Sequence, residues 1–306
     1  MKLSKSTYEK LARYIKNEAR ELEKYLFNYY FENGSKEDII EVLKKYQNED
    51  GGFGNSLEPD FRLPDSTPLA TSIGLRYISE IEGHKKAEKM VKSAIHFLEE
   101  EFREKRKGWF AVNKKVNEYP HTPWWHYDNE KKITVIDQNW GNPSVEIIAY
   151  LYKYQDVVNE LDINYLLDYA IYYLKKKENF KSENEVYCYL KLYKVLPKDF
   201  QKKMEKDLAN AISQVLEKNK EKWLDYVPQP LDFVSSPEDF RFGIKKSLIK
   251  DNLDFSVALL EKNGVIDPPW GKSFYKEGLE DAYEEWKGIL TFKALKRLDN
   301  YNRIEK

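Results

Sequence analysis

One pattern recurs along this chain and limits what it can become: a helical run, a turn built on glycine and an aromatic residue, a loop, then a second helical run. The segment EDIIEVLKKYQNEDGGFG (residues 37–54) lies over LDFSVALLEKNGVIDPPWG (residues 253–271) and shares with it the helix, the acidic residue, the aromatic plug and the final glycine. Gly108-Trp109-Phe110, between them, is a second, degenerate copy of the turn. Counted this way, the hairpin occupies residues 36–80, 84–158, 162–195, 198–246 and 250–298, with a poorly defined second helix in the fourth. A hairpin cannot bury its apolar faces alone, so the copies must stack. Their irregular spacing disfavours an open solenoid, and the aromatic plugs would seal one rim of a closed one. The expected fold is therefore all-α: an α/α toroid of about five hairpins in two concentric rings, one domain over residues 1–306, with an extra N-terminal helix inside residues 1–33 packed on the ring. An open superhelix is the alternative.

Apolar periodicity places the helices. Tyr8, Leu11, Tyr14, Ile15, Leu22 and Leu26 predict one long helix over residues 6–31. Further helices are expected over 36–46, 66–80, 84–104, 143–155, 162–176, 183–195, 198–217, 250–262 and 281–298. Ser35 with Asp38 forms a capping signal ahead of the first hairpin. In the turn Asp50-Gly51-Gly52-Phe53-Gly54, glycine supplies positive φ and close backbone approach, Asp50 accepts amide hydrogens, and Phe53 plugs the gap between helix ends. Ser66-Thr67-Pro68 starts the next helix with a hydroxyl cap and a proline that has no N–H to waste.

Composition excludes several classes. Lys and Arg number 51 against 52 Asp and Glu, so no overall field favours nucleic acid or anionic lipid. The N-terminal stretch has no uninterrupted apolar run, and Cys188 stands alone, so no membrane span, no disulfide and a cytoplasmic location are expected. No P-loop, dinucleotide fingerprint, GxSxG or HExxH occurs, and no cofactor is expected. The aromatic content is the unusual feature: 23 Tyr, 15 Phe and 7 Trp, more than helix contacts alone require if some line a cavity for a small-molecule ligand.

In a ring of hairpins, the links that precede the second helices share one end. Those links carry Glu58, Asp60 and Asp65 as candidate catalytic acids. Glu58 and Asp60 are two apart; on an extended segment they share a face, where one carboxyl raises the pKa of the other and creates a proton donor. Asp65 can equally serve the cap at Ser66-Thr67. Candidate substrate-binding residues are Arg62, His121, Trp124, Trp125, His126, Glu146, Asp232 and Trp286, with Trp124 and Trp125 as pocket wall. His121, His126 and Asp128 have the donor types for zinc, but their spacing is irregular and no cysteine is near, so no metal is expected. Cys188, in the run EVYCYL, reads as a buried small hydrophobe.

Gln47, Asp50, Gly51, Gly52, Phe53 and Gly54 resemble the repeat signature of the squalene-cyclase and protein-prenyltransferase superfamily, whose members are α/α toroids. The chain is more closely similar to a bacterial group of toroid-like proteins with GGFGNxLEPD, PHxPWW, PLDFxxSP and EWKGxLT segments, matched by residues 51–60, 120–125, 230–237 and 285–291. The resemblance implies a central aromatic, carboxylate-lined cavity that takes an isoprenoid-like or other small organic substrate. It does not carry over an active site. The Asp-x-Asp-Asp run of cyclases is missing, and so is the Asp, Cys and His zinc set of prenyltransferases. A carbohydrate-active enzyme of the same fold, or a binding protein without chemistry, stands as the alternative.

Overall fold

A computed structural model describes residues 1–81 and 83–305. Among these residues there are twelve α-helices and no strand, only isolated bridges. The helices are α1 (Lys5–Glu18), α2 (Glu21–Phe31), α3 (Lys36–Leu43), α4 (Pro68–Ile78), α5 (Lys85–Glu100), α6 (Gly141–Lys153), α7 (Ile163–Lys176), α8 (Glu183–Val195), α9 (Lys198–Val215), α10 (Pro230–Phe233), α11 (Lys246–Asn263) and α12 (Glu280–Asn300). The chain divides into two compact units, one of Met1–Ile39 with Leu216–Lys306 and one of Ile40–Val215. No described helix is long and apolar enough to cross a membrane.

In the Ile40–Val215 unit, α6 packs against α4 on one side and α8 on the other, forming one layer of helices. Helices α5, α7 and α9 pack on α4, α6 and α8 respectively, and α7 also meets α9, forming a second layer. The helices that close the first three predicted hairpins thus lie side by side. Their polar caps are those the sequence offers: Thr67 accepts from the Ala70 N–H, Asp162 from Tyr165 and Ser182 from Glu185.

The glycine turn explains the junction of α3 and α4. Gly51 has φ +87°, and a methyl group there would lie 2.5 Å from the Ser93 carbonyl oxygen. The Asp50 carboxylate accepts from the Gly52 N–H and the Ser66 hydroxyl. Phe53 is fully buried over Gly74, where a Cβ would come within 2.6 Å of its ring. The Phe53 N–H donates to Thr71 Oγ1 at 2.9 Å on α4. In the second copy the Trp109 N–H donates to Ser144 Oγ at 3.0 Å on α6. In the last copy the Ile266 N–H donates to Thr291 Oγ1 at 3.0 Å on α12. A hydroxyl on the second helix answers a turn amide each time, that of the aromatic plug in the first two copies and of Ile266, ahead of Trp270, in the last.

In the other unit α12 packs on α1, α2 and α11. The expected single helix over 6–31 is two helices: Ala19 is extended (ψ 164°) and Arg20 is the N-cap of α2, with its guanidinium held by Glu23. The break lets α12 cross closely, since a Cβ on Gly288 would lie 2.7 Å from Ala19 Cβ. The two chain ends pair in this unit: the Leu3 N–H donates to the Arg303 carbonyl and the Glu305 N–H to the Leu3 carbonyl. The second helix of the fourth hairpin is reduced to the single turn α10.

Candidate functional site

Two loops of the Ile40–Val215 unit form a clasp. The Arg62 N–H donates to the Pro120 carbonyl at 2.8 Å, and the Thr122 N–H donates to the Asp60 carbonyl at 2.9 Å. Phe61 and His121 therefore face each other as an antiparallel bridge. Pro120 and Pro123 have no N–H to give, so the pairing is confined to these few residues. Phe61 is buried with its ring edge-on to that of Trp125, centroids 5.4 Å apart. The Asn117 side-chain amide donates to the Tyr127 carbonyl and accepts from the Tyr127 N–H, both at 2.8 Å, which ties the ends of the PHTPWWH loop together.

This register brings the predicted groups to one place. Asp60 is 5 % exposed, and its Oδ2 accepts from the Trp124 indole N–H at 3.0 Å. Glu58, two residues earlier, is also buried. His121 Nε2 lies 3.0 Å from His126 Nδ1, with the ring planes 17° apart and the centroids 5.3 Å apart, and His121 Nδ1 lies 2.6 Å from the Tyr119 carbonyl oxygen. Trp124 is half-buried and His126 is exposed, so the clasp has both a buried acidic side and a face open to solvent. Two buried polar atoms in the loop, Trp125 Nε1 and Thr122 Oγ1, have no hydrogen-bond partner in the protein. A buried polar group left in that condition costs about 1–3 kcal/mol, the kind of cost found at functional positions.

The remaining candidates have other surroundings. Asp65 forms a solvent-facing ion pair with Lys115, 2.6 Å, while Thr67 provides the cap of α4. Asp128 accepts from the Lys131 and Glu130 amides and from the Lys131 ammonium, which hold its carboxyl down at about 2; it forms a turn. Among the described residues, no group of three His, Cys, Asp or Glu side chains is arranged to hold a metal. Asp232 and Trp286 belong to the other unit. There Asp232 caps α10 through the Gln229 N–H and pairs with Arg297 at 2.8 Å. Trp286 packs edge-on to Trp270 against Tyr275, Leu279 and Ala282.

Glu146 sits in the helical layer of α4, α6 and α8. Arg76 donates to both its oxygens, at 2.9 and 3.0 Å, and Lys191 donates to Oε2 at 2.7 Å. Burial pushes this carboxyl up, but Arg76 and Lys191 outweigh it and hold the group at about 2. Burial and the neighbouring Arg76 push the Lys191 ammonium down in spite of its bond to Glu146, so the lysine gains less from the pair than the glutamate does. Cys188 lies beneath this cluster, its thiol pushed up to about 12 by burial. Sequence reasoning named Glu146 but missed Arg76, Lys191 and Tyr150, whose hydroxyl donates to Glu146 Oε1 at 3.3 Å. A signal was there: Arg76 is the only charge in PLATSIGLRYI, Glu146 the only one in NPSVEIIAYLY, and Lys191 the only one in VYCYLKLY.

Comparison with protein-family models, with curated proteins and with solved structures returns no match for this chain.

Proposed function

We propose that this protein is an α/α toroid of the squalene-cyclase and protein-prenyltransferase type that binds and transforms a small organic molecule at the clasp of residues 58–62 and 119–126. The helical-repeat reading is supported by the successive second helices that lie side by side in the Ile40–Val215 unit. The observation that carries the site is the Trp124 indole bonded to buried Asp60, which joins the two segments most distinctive in the sequence.

The groups at the clasp are polar: two carboxyls, two imidazoles and an indole N–H. They suit a hydroxylated, saccharide-like ligand better than a hydrocarbon, because carboxyl and imidazole groups bond hydroxyls and an indole face stacks on a sugar ring. Glu58 or Asp60 acts as the acid, donating a proton to a leaving oxygen. An isoprenoid-like substrate is the second reading, favoured by the resemblance of the Gln47–Gly54 turn to prenyl-handling toroids.

The test is retention of ligand. Wild type, Glu58→Gln and Asp60→Asn are incubated with metabolite fractions, a saccharide set and a prenyl alcohol set, and bound compounds are read by mass spectrometry. Wild type should retain a hydroxylated compound, and each variant should stay folded while its affinity falls at least about tenfold, equal to ~1.4 kcal/mol. Retention of prenyl compounds alone selects the second reading. Retention of nothing by wild type, or variants that melt early yet bind normally, overturns the site and leaves the acids as structural groups.

A further inference from the structure

We infer that His126 Nε2 is the proton acceptor of the clasp and that His121 is the positioning residue that makes it so. The use made of that proton rests on the function proposed above; the protonation pattern itself rests only on geometry. A carbonyl oxygen can only accept, so His121 Nδ1, 2.6 Å from the Tyr119 carbonyl, carries the hydrogen. In a neutral imidazole the other nitrogen then bears the lone pair, so His121 Nε2 is an acceptor. Its partner at 3.0 Å, His126 Nδ1, must be the donor when both rings are neutral. That leaves the lone pair of His126 on Nε2, on an exposed ring two residues from the indole that binds Asp60.

The chain of bonds has a direction. A proton taken by His126 Nε2 turns that ring into an imidazolium. Its Nδ1–H bond to His121 becomes charge-assisted and shorter, and His121 leans in turn on the Tyr119 carbonyl. An oriented partner behind a histidine fixes its tautomer, as it does for histidines that bind metals. In the proton transfer, a ligand O–H bond breaks, an N–H bond forms at Nε2, and the oxygen keeps the electron pair as a nucleophile. The backbone of the dyad is held by the Asn117 amide at Tyr127 and by the Thr122 N–H at Asp60, so the two rings keep their register.

The other two histidines are internal controls. His84 Nδ1 accepts from the Lys86 N–H, and His96 Nε2 faces the Glu100 carboxylate, so both carry their neutral-form hydrogen on Nε2. Long-range proton–nitrogen spectra of uniformly labelled protein, in mildly alkaline solution, should show two rings as Nδ1–H and two as Nε2–H. Loss of signals in His121→Gln and His126→Asn assigns the Nδ1–H pair to the dyad. Diethyl pyrocarbonate should modify His126 fastest. In His121→Leu that rate should fall about fivefold or more while His84 and His96 are unchanged, and His121→Gln, which keeps an acceptor, should restore it. An Nε2–H ring at His126, or an unchanged rate in His121→Leu, overturns the inference. Neither readout needs a ligand, so a failed ligand screen and a failed dyad are told apart; if the leucine variant unfolds, the wild-type spectrum still decides.

Discussion

Replacing Glu146 with Gln should uncover how the helical layer of α4, α6 and α8 is held together. The substitution keeps shape but removes the negative charge that Arg76 and Lys191 both bind. The Glu146 carboxyl stands at about 2 in the fold against 4.5 for a free glutamate, a difference corresponding to ~3 kcal/mol of stability. Removing one member of a buried ion pair costs about 3–5 kcal/mol. Arg76 and Lys191 are each about a third exposed and regain some hydration, so the lower end applies. At roughly 2–4 °C per kcal/mol, the midpoint of thermal unfolding should fall by about 6–12 °C near neutral pH. The pH dependence has a fixed sign. A carboxylate whose folded pKa is depressed contributes stability that is complete above its unfolded value and is lost as pH falls through the folded one. The gap between wild type and Glu146→Gln should therefore be full above 4.5 and close as pH falls toward about 2. Circular dichroism melts across that range make the measurement. A drop of less than about 2 °C at neutral pH, or a gap undiminished in acid, would refute the reasoning.

Four further outcomes follow from named contacts. Gly74→Ala places a methyl group 2.6 Å from the Phe53 ring and should cost about 1–3 kcal/mol in urea unfolding, and Thr71→Val, which strands the Phe53 N–H, should cost a similar amount. Cys188, buried with its thiol pushed up to about 12, should be inert to disulfide reagents in the native protein at neutral pH and react at once in denaturant. Asp65→Asn breaks only an exposed pair with Lys115, so stability should change by less than about 1 kcal/mol and ligand retention should match wild type, unlike Asp60→Asn.

The helical content and the order of the helices were legible because they rest on local signals. Periodicity gave α8 to the residue and most other helices to within a few, and the turn at Gly51–Gly54 was readable from the chemistry of glycine and aspartate. What local signals could not carry was pairing between distant segments. The break at Ala19–Arg20 answers a crossing by Gly288, far away in sequence, so periodicity alone ran the helix straight through it. The Asp60–Trp124 bond likewise depends on the register of one loop against another, which sequence spacing does not encode. Arg76 and Lys191 were passed over because each looks like an ordinary helix charge. Only the side-by-side packing of α4, α6 and α8 turns three lone charges into one cluster. The hydroxyls of Thr71, Ser144 and Thr291 were equally silent until the turns they bind were in view.

The indole N–H signals of Trp124 and Trp125 provide the most direct measurement of where ligand binds. In a proton–nitrogen titration with a retained compound, these two should shift as the complex forms while Trp223 and Trp270 stay in place, and the shift should vanish in Asp60→Asn. Movement of Trp270 with Trp124 and Trp125 unmoved would contradict the clasp as the binding site.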